Sequence, residues 1–131
     1  TAATIHKGST GILHGAKMLV MQNEDGQIQE AFTISAGLDY PGVGPMHCNM
    51  AKKGRTKVLS INDDEAIYGG YELTRMEGII PAIESAHAIA VLKKLSFKPE
   101  DVVVLTVSGR GDKDVETYLN NKQMAKEYGN F

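Results

Sequence analysis

An α/β fold is predicted from three observations. Residues 102–107 (VVVLTV) are a continuous apolar or β-branched run without charge or proline, as in a strand buried on both faces of a parallel sheet. That run breaks within one residue into a polar, glycine-rich turn, Ser108-Gly109-Arg110-Gly111-Asp112-Lys113. In open α/β sheets, ligands bind beyond the carboxyl ends of strands, so a site is expected at this turn. Strand-like and helix-like stretches also alternate after residue 56.

Residues 1–15 have polar and glycine breaks and no clean period, and read as loop with one helical turn at most. Residues 16–21 (AKMLVM) and 27–34 (QIQEAFTI) flank Asp25-Gly26, a strong hairpin signal because such a turn needs positive φ. Residues 35–45 (SAGLDYPGVGP) hold three glycines and two prolines, yet also Leu38, Tyr40 and Val43. A rigid, partly buried loop of that kind is expected to line something. Residues 57–61 (KVLSI) read as a strand.

Asn62-Asp63-Asp64-Glu65 is an acidic helix start, with Asn62 or Asp63 as N-cap. This helix should run to about Met76, turn Ala66, Ile67, Gly70, Tyr71, Leu73 and Thr74 inward, and end at Glu77-Gly78. Gly69 and Gly70 each cost roughly 1 kcal/mol against alanine in a helix interior, so packing must hold it. A second helix, about 82–95, is apolar almost all round and closes on Lys93 and Lys94, as in a helix between layers. Without cover on both sides it would leave an apolar patch and self-associate. Asp114 can cap a helix beginning at Val115, and residues 119–131 read as a polar, loose tail.

The length of 131 residues fits a single domain or part of one. Fourteen basic against sixteen acidic residues give a net charge of −2, which points to neither nucleic acid nor an anionic membrane as partner. No apolar run reaches the roughly 18 residues of a membrane span. The single Cys48 forms no intrachain disulfide and suits the cytoplasm. The chain opens Thr1-Ala2-Ala3 with no initiator methionine and is expected to be a piece of something longer.

Each candidate residue has a functional and a plain reading. Ser108 can bond a ligand atom, or can simply break the strand. Gly109 and Gly111 can present backbone N–H groups to an anion. Glu84 and His87 share one helix face, as chemistry, or as a carboxylate on the helix dipole beside a core histidine. Asp39, flanked by Leu38 and Tyr40, is expected to be partly buried and to need a cation, or else to bond its own loop. His6, His14 and His47 have no metal-ligand spacing. Gly8-Ser9-Thr10-Gly11 lacks the Gly-Lys-Ser/Thr of a phosphate loop. Arg110-Gly111-Asp112 spells an adhesion tripeptide, a coincidence in a chain without a secretion signal.

GSTGILHG (8–15), NEDGQIQE (23–30), SAGLDYPGVGP (35–45), INDDEA (61–66), EGIIPAIESAHAIA (77–90) and VSGRGDKD (107–114) occur in this order in tryptophan synthase β chains. The chain resembles that family from about Gly8 to Tyr118. The resemblance implies the C-terminal portion of a fold type II pyridoxal-phosphate enzyme, a three-layer open twisted sheet flanked by helices, with a β-hairpin near the start of this chain. It implies condensation of L-serine with indole to L-tryptophan and water, with pyridoxal 5′-phosphate and a monovalent cation (Na or K). It implies as partners a tryptophan synthase α subunit and a second β chain.

By the same resemblance, Ser108 faces the pyridine nitrogen, Gly109 shapes the wall beside it, and Glu84 lies close to the cofactor ring. Gly37 and Asp39 belong to the substrate loop, Asp39 shielding the reacting centre on closure. The carbonyls of Leu38, Tyr40 and Gly42 help hold the cation. The family's His-Lys-Thr-Asn with the cofactor-anchoring lysine, its phosphate-binding glycine run and its acid/base glutamate are not in these residues. The isolated chain is therefore expected to be inactive. A serine or threonine dehydratase of the same cofactor fold is the neighbouring reading, against which the GLDYPGVGP loop argues. A binding or scaffolding module without turnover is the reading from another class.

Overall fold

The computed structural model describes residues 2–123 and 125. The chain divides into two units, Thr1–Ser60 and Ile61–Phe131.

In the first unit a short helix, α1 (Thr4–Lys7), precedes two antiparallel strands, β1 (Ser9–Leu13) and β2 (Ala16–Val20). Leu13 pairs with Ala16, so the turn is His14-Gly15, with φ of 48° and 77°. Positive φ at both central residues is the backbone a two-residue hairpin needs to match strand twist. A third strand, β3 (Gly42–Val43), joins the other edge of β2. Val20, fully buried, and Met21 and Ala31, nearly so, form this unit's apolar centre.

The hairpin is therefore real but placed earlier than expected. Asp25-Gly26 does turn: Gly26 has φ 77°, and Asn23 Oδ1 accepts the N–H groups of Asp25 and Gln27 at 3.1 and 2.8 Å. The returning segment makes only the single bridge Gln22–Ile28, because β1 and β3 already occupy both edges of β2. Ile28 and Phe32 stay exposed.

An unanticipated helix, α2 (Pro45–Lys52), starts on a proline at its first turn, where the missing N–H costs nothing. Cys48 Sγ ties it back, donating to the Val43 carbonyl at 2.9 Å and accepting from Leu19 N–H at 3.4 Å. Residues 57–61, expected as a strand, have no regular structure.

The second unit is helical. α3 (Asp63–Glu77) opens on a complete capping box: Asn62 Oδ1 accepts the Glu65 N–H at 2.8 Å, and Glu65 Oε2 accepts the Asn62 N–H at 2.9 Å. It closes on Gly78 in the left-handed region, whose N–H donates to Thr74 O, as a helix C-cap glycine does. α4 (Ile83–Val91) packs along it and runs into a 3-10 turn, Leu92–Lys94.

The glycines explain how α3 tolerates them. A Cβ on Gly69 would lie 3.0 Å from both Ala86 O and Ala90 N, so the bare backbone lets α4 approach. Lys93 pairs with Glu72 at 3.0 Å and lies over the Tyr68 ring, while Lys94 pairs with Glu65 at 2.8 Å. These two lysines thus reach across to α3. α4 buries Ile83, Ser85, Ala86, Ile89 and Ala90 but leaves Ala88 exposed, so its cover is one-sided. The last helix, α5 (Val115–Asn120), buries Tyr118; of the expected loose tail, Met124 and residues 126–131 lie outside the described residues.

The expected central strand is overturned. Residues 102–107 make no ladder, and Val102 and Val104 are 90% and 88% exposed. Branched side chains favour a strand only through neighbours on a pleated surface, and no strand forms among the described residues of their own unit. The architecture is mixed α/β, with one three-stranded antiparallel sheet and five helices among the described residues. No parallel three-layer sheet is formed by them. No helix among them is long and apolar enough to cross a membrane.

The capping box carries a testable pH dependence. Burial alone would raise the Glu65 carboxyl, but the bonds from Lys94 and the Asn62 N–H outweigh it and hold the group below its ordinary value. A depressed carboxylate contributes stability above its unfolded pKa and loses it as pH falls below that pKa and through the lower folded value. Asn62→Ala should cost about 1 kcal/mol in urea unfolding at neutral pH, whereas Glu65→Gln, which removes the titrating carboxylate, should flatten the acid loss of stability.

Candidate functional site

The glycine-rich turn folds back on the N-terminal end of α4. The Ala82 N–H donates to Gly109 O at 2.9 Å, and the Gly111 N–H donates to Ile80 O at 2.8 Å, an antiparallel bridge centred on Pro81 and Arg110. Glycine is required here by close approach. A Cβ on Gly109 would sit 2.9 Å from Ala82 Cβ, and one on Gly111 would run into the Pro81 carbonyl.

Zipped this way, the turn brings three expected residues, Glu84, Ser108 and Gly109, to one end of α4. Ser108 is exposed, with its Oγ 3.2 Å from Ser85 Oγ. Ser85, 2% exposed, also accepts the Gly109 N–H at 3.1 Å. Glu84, the next residue on α4, receives the Lys113 ammonium at 3.0 and 3.3 Å. Lys113 is shared with Asp114, at 2.8 and 3.0 Å.

Asp114 was expected to cap the helix that follows it, but it makes no side-chain cap there. Its Oδ2 instead accepts the Ile83 N–H at 3.0 Å, the first amide of α4, whose own N-cap Ala82 has no side chain to offer. Carboxylates at the N-terminal end of a helix meet its positive dipole. Lys113 is held above its ordinary pKa by its bond to Asp114 first, then by Glu84, against the opposing effect of burial. It is thus kept as an ammonium, which is not a nucleophile.

His87 is accounted for by its own helix, its Nδ1 donating to Ile83 O at 2.8 Å. The other expected residues, Gly37, Leu38, Asp39, Tyr40 and Gly42, lie together in a loop of the first unit. That loop holds a 3-10 turn, Ala36–Leu38, and leads into β3. The expected cover over Asp39 is not formed: Leu38 and Tyr40 are 38% and 40% exposed and Asp39 is exposed. Tyr40 reaches His14 instead, whose Nδ1 is 2.8 Å from the phenol oxygen. Among the described residues the Asp39 carboxylate meets neither a cation nor its own loop. No group of three or more His, Cys, Asp or Glu among them could hold a metal ion.

The sequence alone does not assign these roles to Ser85, Lys113 and Asp114. Only Ser85 and Asp114 had no usable signal: a serine inside a helix pattern is unremarkable, and Asp114 reads as a cap for its own helix. The arrangement offers an exposed neutral hydroxyl, a glycine wall and a carboxylate already neutralised by an ammonium. It can hold and orient a polar ring edge.

No family model matches the chain. It is 71% identical over 119 residues to the tryptophan synthase beta chain of Bacteroides fragilis. It is 70% identical over 120 residues to that of Bacteroides thetaiotaomicron, and 64% over 122 residues to that of Parabacteroides distasonis. These alignments cover 91–93% of this chain but only 30–31% of each relative; the chain spans about a third of the length of the curated relatives it matches.

Proposed function

We propose that this chain, a member of the tryptophan synthase beta chain family, is the C-terminal portion of such a subunit and supplies one wall of its cofactor site. The whole subunit would condense L-serine with indole to L-tryptophan and water in the cytoplasm. It would work as a β-β dimer with an α subunit that delivers indole. Pyridoxal 5′-phosphate, when bound, supplies the electron sink for bond changes at the amino acid's α and β carbons.

The observation that carries this reading is the exposed Ser108 hydroxyl, held over α4 by Ser85 beside the bare backbone of Gly109. It fits a ring edge because it is a neutral, exposed oxygen that can bond a ring nitrogen, fixed in place by the close approach of Gly109 to α4. A hydroxyl, unlike a carboxylate, does not enforce protonation of a ring nitrogen. Glu84 would lie near the ring with its charge balanced by Lys113, so it would not compete for that proton. Lys113, fixed between two carboxylates, would not anchor the cofactor's aldehyde; the anchoring lysine would come from the remainder of the subunit.

In the first unit, Gly37 and Asp39 would meet substrate, the exposed Asp39 carboxylate pairing with a cation on closure and excluding water. The carbonyls of Leu38, Tyr40 and Gly42 would contribute to a monovalent-cation site.

Two measurements test this. The purified chain, given pyridoxal 5′-phosphate, L-serine and indole, should form no tryptophan. The Bacteroides fragilis subunit with its matching 119 residues replaced by this chain's should form it at a rate within about tenfold of the parent. A folded, cofactor-loaded replacement that makes no tryptophan would overturn the proposal.

A further inference from the structure

We infer that Ser85 is a positioning residue that sets the direction of the Ser108 hydroxyl proton, so that the turn presents a hydrogen-bond donor and selects an acceptor atom, an uncharged ring nitrogen in preference to a protonated one. The inference deepens the proposed cofactor site and rests on that reading.

A hydroxyl has one proton to give and two lone pairs to receive with. Ser85 Oγ is buried and receives the Gly109 N–H at 3.1 Å. Its second partner among the described residues is Ser108 Oγ at 3.2 Å, and either oxygen could be the donor on distance alone. The surroundings decide between them. Were Ser108 to donate, the Ser85 proton would need another acceptor inside the protein. Among the described residues Ser85 Oγ has no partner besides the Gly109 N–H and Ser108 Oγ, so no such acceptor is in reach. A buried donor left unmade costs more than an ordinary hydrogen bond returns. Ser85 therefore donates to Ser108, and the exposed Ser108 has its own proton left for whatever lies over the turn. The chain Gly109 N–H to Ser85 to Ser108 runs in one direction, and each bond polarises the next.

The test uses the full β subunit carrying this segment, loaded with pyridoxal 5′-phosphate labelled with nitrogen-15 in the ring. The pH dependence of the ring-nitrogen chemical shift is followed in the unaltered protein and in Ser85→Ala, Ser85→Thr and Ser108→Ala. In Ser85→Ala the Ser108 hydroxyl loses its donor and is free to turn and accept. The ring nitrogen should then take up a proton at a pH roughly one unit higher, a tenfold change. Ser85→Thr, which keeps the hydroxyl, should restore the unaltered titration, a rescue that a merely structural role would not give; Ser85→Cys, a weak donor, should fall between if the threonine does not fit. An unchanged titration in Ser85→Ala, with Ser108→Ala still moving it, overturns the inference and leaves the site reading intact. No movement in Ser108→Ala means that Ser108 does not face the ring, and the site reading itself fails.

Discussion

Gly111→Ala is expected to destabilise the second unit by about 2–3 kcal/mol and to free the 108–114 turn from α4. Gly111 is buried and its N–H holds Ile80 O at 2.8 Å. A Cβ there would lie 2.6 Å from Ile80 Cγ2 and 3.0 Å from the Pro81 carbonyl carbon, closer still to that carbonyl's oxygen. Two of these three atoms are backbone, and the backbone at Pro81 cannot yield: its neighbour Ala82 is bonded to Gly109 and its carbonyl to Tyr118. The strain must go into the turn. Ser108 would then leave Ser85, and Lys113 would leave Glu84, so one methyl group should remove both ordered features of the site. Urea unfolding reads the stability. Amide hydrogen exchange at Gly109 and Gly111 reads the release, and should rise by roughly the factor that the lost free energy implies, about 30–150-fold. Gly109→Ala, whose Cβ would press on Ala82 Cβ at 2.9 Å and otherwise meet Ser85 Oγ at an ordinary 3.9 Å, should cost less. Equal stability of Gly111→Ala and the unaltered chain would show that the turn is not clamped at this point.

That clamp also marks where sequence reading succeeds and where it stops. The ends of α3 are written locally: Asn62 and Glu65 are three residues apart and satisfy each other, and Gly78 takes the conformation glycine tolerates best. Both were legible. The start of α4 is not written locally, because its first amide is bonded by a carboxylate 31 residues further on. Residues 102–107 show the converse. Their composition says truthfully that they want a pleated, apolar surface, but composition cannot say which strands provide it, and no strand forms among the described residues of their own unit. In the first unit, both His14-Gly15 and Asp25-Gly26 make tight turns with positive φ at glycine. The stronger local signal belongs to Asp-Gly, yet the ladder grew from the other, since a ladder depends on which strand edges are free. Ser108 and Gly109 could be picked out because a change of composition exposes them at a turn. Ser85, which holds both, sits in an ordinary helix pattern and becomes visible only when the turn is folded onto it.

Gly70→Ala should destabilise the second unit by about 2 kcal/mol, although alanine is the better helix former by about 1 kcal/mol. The added Cβ would press on the Tyr118 ring, 2.6 Å from Cε1 and 2.7 Å from Cζ, and closer to its hydroxyl. A flexible side chain would move aside, but this one is held at three points. Its hydroxyl donates to Pro81 O, its backbone carbonyl receives the Tyr71 hydroxyl at 2.8 Å, and its ring meets that of Tyr71 edge-on with centroids 5.7 Å apart. The contact can be isolated by a double-mutant cycle with Tyr118→Phe, which removes the atom nearest the new methyl. If the clash is the cause, Gly70→Ala should cost about 1 kcal/mol less in the phenylalanine background. Additive costs would mean that the ring yields freely and that Gly70 serves something else. The same variant has a signature in alkali. Burial first, and then the nearby Asp114 and Glu84 carboxylates, push the Tyr118 phenol far above its ordinary value. A group whose folded pKa is raised contributes stability that is complete below its unfolded value, about pH 10, and fades as pH climbs toward the folded one. Tyr71, Lys93 and Lys113 are raised as well, so the alkaline loss should persist in Tyr118→Phe but become shallower, and the difference between the two curves belongs to the Tyr118 hydroxyl.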